Sequence, residues 1–171
     1  MPFDLTSNLP FLLYRIASKL GSDANAAFKT AGVTTMYARI LLALLYDDNS
    51  TVGDLCAFTA IDQSTMSHSL NALRRLELIS KRRLARDNRT VRVRLTPKGL
   101  ETARRCSEIA SGFNQMLARG LSDEEIVTLT SSLRRLYDNC GQREHAPLTN
   151  LSVSPEAESN VDPTRELRTA K

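Results

Sequence analysis

Residues 81–96 read KRRLARDNRTVRVRLT, a run with seven Arg or Lys in sixteen positions. Its second half alternates: Val91, Val93 and Leu95 fall on one side of an extended chain, and Arg92 and Arg94 on the other. That pattern predicts a strand buried on one face, and Asp87-Asn88 supplies residues suited to a hairpin turn. Like charges packed this densely repel one another unless a counter-charge is at hand. Duplex DNA, with one negative charge per about 1.7 Å of helix axis, would provide it.

The segment just before the hairpin, Ile61 to Leu76, predicts an amphipathic helix. At about 100° per residue, Met66, Leu70 and Leu73 share one narrow face. Ser64, His68, Asn71 and Arg75 stack on the opposite face, with Thr65 and Ser67 flanking them near the N-terminus. Short donors and acceptors let a helix sink into the major groove, and Asn and Arg make bidentate contacts to adenine and guanine. A merely solvated face would carry Glu and Lys there instead. Were the helix to continue, Glu77 would land on the apolar face, where an unpaired carboxylate is costly, so the helix should end at about Leu76.

Upstream, a short helix from Val52 to about Phe58, capped by Ser50 or Thr51, leads into a tight turn at Thr59-Ala60-Ile61. Two helices so joined make a helix-turn-helix, and the basic hairpin that follows reads as its wing. In this reading Ser64, Thr65, Ser67, His68, Asn71 and Arg75 face the bases. Arg83, Arg86 and Arg89 near the wing tip meet DNA, with Arg92 and Arg94 along the duplex backbone and Asp87 orienting an arginine. A solvated basic hairpin is the alternative.

Composition agrees with this reading. The 171 residues are 42% hydrophobic and 25% charged, which suits one domain with an appendage. Aromatic content is 5% and Trp is absent, which argues against stacking on single strands. The net charge is +4, yet residues 61–95 hold nine Lys/Arg against three Asp/Glu, so that segment carries +6 and the remainder −2. A basic patch on a near-neutral body is the footprint of a nucleic-acid binder. Cys56, Cys106 and Cys140 lack metal spacing and sit at apolar helical positions, which predicts reduced core thiols. No apolar run would span a bilayer and no signal-peptide pattern opens the chain, so a cytoplasmic protein without membrane contact is expected.

The flanks are helical. A helix from about Asn8, with Pro10 in its first turn, carries Leu9, Leu12, Leu13, Ile16 and Leu20 before Gly32 breaks the pattern. A second, capped by Thr34 or Thr35, runs to Tyr46. Thr96-Pro97 opens another, with Leu100, Ala103, Cys106, Ala110, Phe113 and Leu117 on one stripe; Gly120 ends it. Ser122 to Glu125 forms a capping box for the last helix, whose seam is Ile126, Leu129, Leu133, Leu136, Tyr137 and Cys140. The expected organisation is an N-terminal dimerisation helix in 1–32, a winged helix-turn-helix in 33–97, C-terminal dimerisation helices in 98–141, and a polar, disordered tail in 142–171. The fold class is mainly α, with a two-stranded wing.

The stretches NLPFLLYRIASKL, GVTTMYARILLAL, QSTMSHSLNALRRLELI and above all DNRTVRVRLTPKG resemble the MarR family of bacterial transcription regulators. Asp87, Arg89, Val93, Leu95, Thr96 and Gly99 meet that family's wing signature. The resemblance covers roughly residues 8–140. It implies a homodimer, through Leu9, Leu12, Leu13, Leu129, Leu133, Leu136 and Tyr137, with one winged helix per subunit on each half of a palindromic operator. It also implies a repressor released by a small aromatic or phenolic effector bound between the dimer and DNA-binding parts. Two positions depart from the pattern: His68 stands where members usually have Arg, and Glu77 where they have Gly. The second implies strain of about 1 kcal/mol if the backbone keeps a left-handed turn. The thiol-sensing branch uses a cysteine near the N-terminal helix, and none lies there.

Other classes are poorly served. A winged-helix DNA binder without an effector and a helical adaptor for protein contacts are the remaining readings. His68 and His145 are the only histidines, and neither forms a base–nucleophile pairing, so no catalytic residue, cofactor or metal is expected. Tyr14, Arg15 and Tyr37 could serve an effector pocket or be ordinary structural residues.

Overall fold

A computed structural model describes residues 4–84 and 87–140, the side chains of residues 83–90 excepted. After a short 3₁₀ turn the elements are α1 (Leu9–Thr30), α2 (Thr35–Tyr46), β1 (Ser50–Thr51), α3 (Val52–Thr59), α4 (Gln63–Arg75), β2 (Ile79–Leu84), β3 (Asp87–Leu95), α5 (Pro97–Ala118) and α6 (Asp123–Cys140). The chain divides into two compact units, one ending at Ile126 and the other starting at Val127.

Local chemistry sets the boundaries. Asn8 caps α1 through its side-chain oxygen, which accepts from Phe11 N, and Thr34 does the same for α2 with Tyr37 N. Thr51 and Asp54 form a reciprocal capping box at the start of α3. The Asp62 carboxylate caps α4, accepting from Thr65 N at 2.8 Å, so that helix begins two residues later than Ile61. Ser122 and Glu125 close the expected capping box on α6.

The core of the first unit lies where α2, α3, α4 and α5 meet the sheet. Ile40, Leu41 and Leu44 of α2, Leu55 of α3, Met66, Leu70 and Leu73 of α4, Val93 of β3, and Ala103 and Cys106 of α5 are all buried. The alternation in 91–95 holds: Val93 is fully buried, Val91 and Leu95 partly so.

The sheet has three strands where two were expected, all antiparallel, in the order β1-β3-β2. Ser50 pairs with Val93 and Thr51 with Arg92. A two-residue strand is too short to show any alternation, so pattern reading passes over it. Asp87 and Asn88, expected as the turn, belong to β3, with Asp87 opposite Leu84 across an irregularity in the ladder. The predicted tail, 142–171, lies outside the described residues.

The thiols differ from expectation as well. Cys106 is buried and Cys56 half-buried, but Cys140 is exposed. It occupies an apolar position on α6, a helix none of whose residues is buried.

The junction between α4, β2 and α5 explains the Leu-Thr-Pro-Lys-Gly stretch. Glu77, just beyond α4, takes a left-handed conformation, with φ 61°. Thr96 then holds the turn: its hydroxyl donates to Glu77 O at 2.6 Å and accepts from Gly99 N at 3.0 Å. Its backbone N–H donates to Leu78 O at 3.1 Å. Gly99 is required by proximity, because a Cβ there would stand 1.8 Å from the Leu78 carbonyl oxygen. Gly99→Ala should therefore lower stability by about 3 kcal/mol, since backbone rather than a flexible side chain must move. Urea unfolding monitored by circular dichroism measures this.

Candidate nucleic-acid interface

The outer face of α4 is polar and open. Ser64, Ser67, His68, Asn71 and Arg75 are exposed and Thr65 is half-buried, whereas Met66, Leu70 and Leu73 beneath them are 0% exposed. The helical wheel of the sequence thus places all six predicted base-facing residues on the accessible side. Asp62 caps their N-terminus. Hydrogen bonds from Thr65 backbone and side chain hold its carboxyl below the ordinary carboxylate range.

The turn ahead of α4 is fixed from two sides. Ala60 takes the left-handed conformation, φ 50°, and the Arg39 guanidinium of α2 donates to the Thr59 carbonyl. Ser69, on the flank of α4, donates to Met36 Sδ at 3.3 Å. These contacts set the pose of α4 on the body.

The wing is the antiparallel pair β2–β3. The backbones of Arg83, Asp87 and Arg89 lie in its strands, while their side chains fall outside the described residues, as does all of Arg86. Arg92 and Arg94, expected along the duplex, are engaged internally. Arg92 donates to Asn49 O at 2.8 Å, and Arg94 Nε meets Asp48 Oδ2 at 3.2 Å. The other Asp48 oxygen accepts from Leu95 N at 3.0 Å. Part of the counter-charge for the basic run therefore comes from the α2–β1 turn, and these two arginines brace the sheet edge. The turn's residues sit more than forty positions upstream, so no local pattern could reveal the pairing.

Sequence reasoning also missed Lys81, whose Nζ donates to Asn71 Oδ1 at 2.9 Å. Beside α4 opens a cleft of about 780 Å³, lined by Gly21 and Asn25 of α1, the α2 cap Thr34, Thr35, Tyr37 and Arg39 of α2, and Thr65, His68 and Ser69 of α4. The Thr35 hydroxyl is buried and meets no hydrogen-bond partner among the described residues. Of the three residues considered for a pocket, Tyr37 lines this cleft. Tyr14 is exposed, and the Arg15 guanidinium sits 5.7 Å from the Phe11 ring centre.

Burial, and secondarily Asp62, push the Cys56 thiol up, and burial does the same to Cys106, which disfavours the reactive thiolate. Among the described residues, no group of three His, Cys, Asp or Glu could hold a metal ion, and no single helix is long and apolar enough to cross a membrane.

A helix-turn-helix followed by a two-stranded wing and flanked by long helices defines a winged-helix protein. Residues 31–90 match the model of the MarR family. The chain is 27% identical over 113 residues to the uncharacterized HTH-type transcriptional regulator YdgJ of Bacillus subtilis, covering 66% of this chain and 69% of that one. Among the solved structures that share the fold are two regulators. The PcaV regulator of Streptomyces coelicolor, in complex with its natural ligand, has a TM-score of 0.70 at 23% identity, covering 82% of this chain and 99% of that one. A MarR family regulator from Listeria monocytogenes complexed with a 26mer DNA has a TM-score of 0.74 at 21% identity, covering 78% and 89%.

The Asp62 cap makes a pH-dependent contribution. Its folded pKa is depressed, so the stabilisation is present above the ordinary carboxyl value of 3.8 and lost as pH falls through the lowered folded value. Asp62→Asn keeps a neutral cap that does not titrate. Melting temperatures measured from pH 7 to pH 2.5 should therefore fall less steeply at the acid end for Asp62→Asn than for wild type.

Proposed function

We propose that this protein is a sequence-specific regulator of transcription that binds double-stranded DNA. It acts as a homodimer on a palindromic operator, as a repressor released by a small aromatic or phenolic effector. The observation that carries this reading is the division of α4 into a fully buried apolar face and an exposed polar one. The basic run of the wing follows it within a few residues. In this reading Ser64, Thr65, Ser67, His68, Asn71 and Arg75 contact base edges or the phosphates beside them. Arg83, Arg86 and Arg89 contact the duplex beyond, with Asp87 orienting a neighbouring arginine.

Dimerisation is supported by apolar side chains with no cover. Leu9, Leu12, Leu13 and Ile16 of α1 are exposed, and within the second unit Leu129 and Leu133 of α6 are exposed too. Leu136 and Tyr137 continue that seam half-buried. Two-fold pairing would set the two reading helices about one DNA turn, roughly 34–36 Å, apart.

The effector reading is supported by the cleft beside α4. Thr65 and His68 belong both to that cleft and to the predicted base-facing set, so an occupant and DNA compete for one helix. The unpaired Thr35 hydroxyl offers a partner to a phenol or carboxylate, and Tyr37 offers an aromatic face. The ligand-bound PcaV structure shares this fold.

Titration of a duplex selected from genomic fragments, across several salt concentrations, tests the proposal. Arg89→Ala should weaken binding and reduce the log–log salt slope by about 0.9 per lost phosphate contact. Asn71→Ala should change which bases are preferred while leaving the slope in place. Equal binding by wild type and both variants at every salt concentration would refute the assignment.

A further inference from the structure

Lys81 follows the buried Ile79 by two residues on β2, so the two share the face turned toward the core. Across the ladder Lys81 pairs with Val93, which is fully buried. A lysine at such a position lays its aliphatic stem over the core edge and extends its head outward. Here the head reaches the reading helix, donating to Asn71 Oδ1 at 2.9 Å. Burial, and then the like charge of Arg74, lower the Lys81 pKa from its ordinary 10.5, so the amine gains from an acceptor.

An ammonium has donors only, so it fixes which way the Asn71 amide is turned: oxygen toward Lys81. A bidentate contact to adenine needs Oδ1 to accept from N6–H while Nδ2 donates to N7. With Lys81 on Oδ1, that oxygen is a weaker acceptor, and a positive charge stands beside the amino hydrogens it would receive. The Asn71–Lys81 pair instead offers donors, through Nδ2 and the ammonium. Guanine presents two acceptors, O6 and N7, on the same edge.

We infer that Lys81 is a positioning residue for Asn71, and that the pair favours guanine over adenine at the base pair facing Asn71. This deepens the proposed function and rests on α4 being the helix that meets the bases.

The experiment is competitive binding of full-length protein to operator duplexes carrying each of the four bases at every position. Wild type, Lys81→Met, Lys81→Arg and Asn71→Ala are compared, with melting curves to verify folding. Wild type should prefer guanine at one base pair per half-site. Lys81→Met, which keeps the apolar stem, should shift that position toward adenine by about tenfold and leave the others unchanged. Lys81→Arg should retain guanine, because it restores a donor to Oδ1. Asn71→Ala leaves the sheet untouched and should lose the preference at the same base pair.

Two results would overturn the inference while leaving the proposed function standing: a Lys81→Met profile identical to wild type, or uniform weakening at all sequences with unchanged preferences. Retention of the guanine preference in Asn71→Ala overturns it too, even if Lys81→Met does not fold. Absence of any sequence preference in wild type would instead remove the base-contact reading itself, and the inference with it.

Discussion

The arrangement depends on how the chain leaves α4. Glu77 turns left-handed, and the next backbone carbonyl, that of Leu78, lies against Gly99 so closely that no side-chain carbon fits between them. Thr96 binds both sides of that turn with one hydroxyl and one amide. Strand β3, which ends at Leu95, is thereby fixed to the end of α4 and the start of α5 together. A helix and a hairpin that would otherwise pivot about a loop become parts of one body, with a definite angle between them. A groove-reading helix and a backbone-contacting wing can engage one duplex only if that angle is set in advance, because ordering it on binding would cost affinity.

The same constraint explains the unequal use of the basic residues. A hairpin with seven cations needs an anchor before it can present any of them. Arg94 and Arg92 supply it by reaching Asp48 and the Asn49 carbonyl, while Asp48 also receives the Leu95 amide. Exposed ion pairs contribute little stability, about 0–1 kcal/mol, so their role here is to fix geometry.

Much of this was legible in the sequence wherever the signal was local. The start of α1 near Asn8, a cap for α2 at Thr34 or Thr35, the caps at Thr96 and Ser122, the period of α4, the alternation through Val93 and the stop before Glu77 all rest on interactions within about four residues, and the structure has each of them, with Thr34 as the α2 cap. The features that escaped join distant positions. Strand β1 is two residues long and exists only through β3, and the Asp48–Arg94 pair spans 46 positions. Lys81 looked like one more cation in a basic run, because its strand partner and its helix partner become visible only once the sheet is folded against α4. Cys140 was misjudged for a related reason: an apolar stripe shows that a helix has a seam, not that the same chain covers it.

Chemical footprinting of the selected operator tests most directly whether the helix and the wing meet the same duplex at once. Dimethyl sulfate reports guanine N7 in the major groove, and hydroxyl radicals report the sugars lining the minor groove. If both do, each half-site will show a block of protected guanine N7 atoms with radical protection immediately beside it, and Arg89→Ala will lose only the second. Radical protection with every guanine N7 left reactive, or a pattern unchanged by Arg89→Ala, would contradict that joint contact.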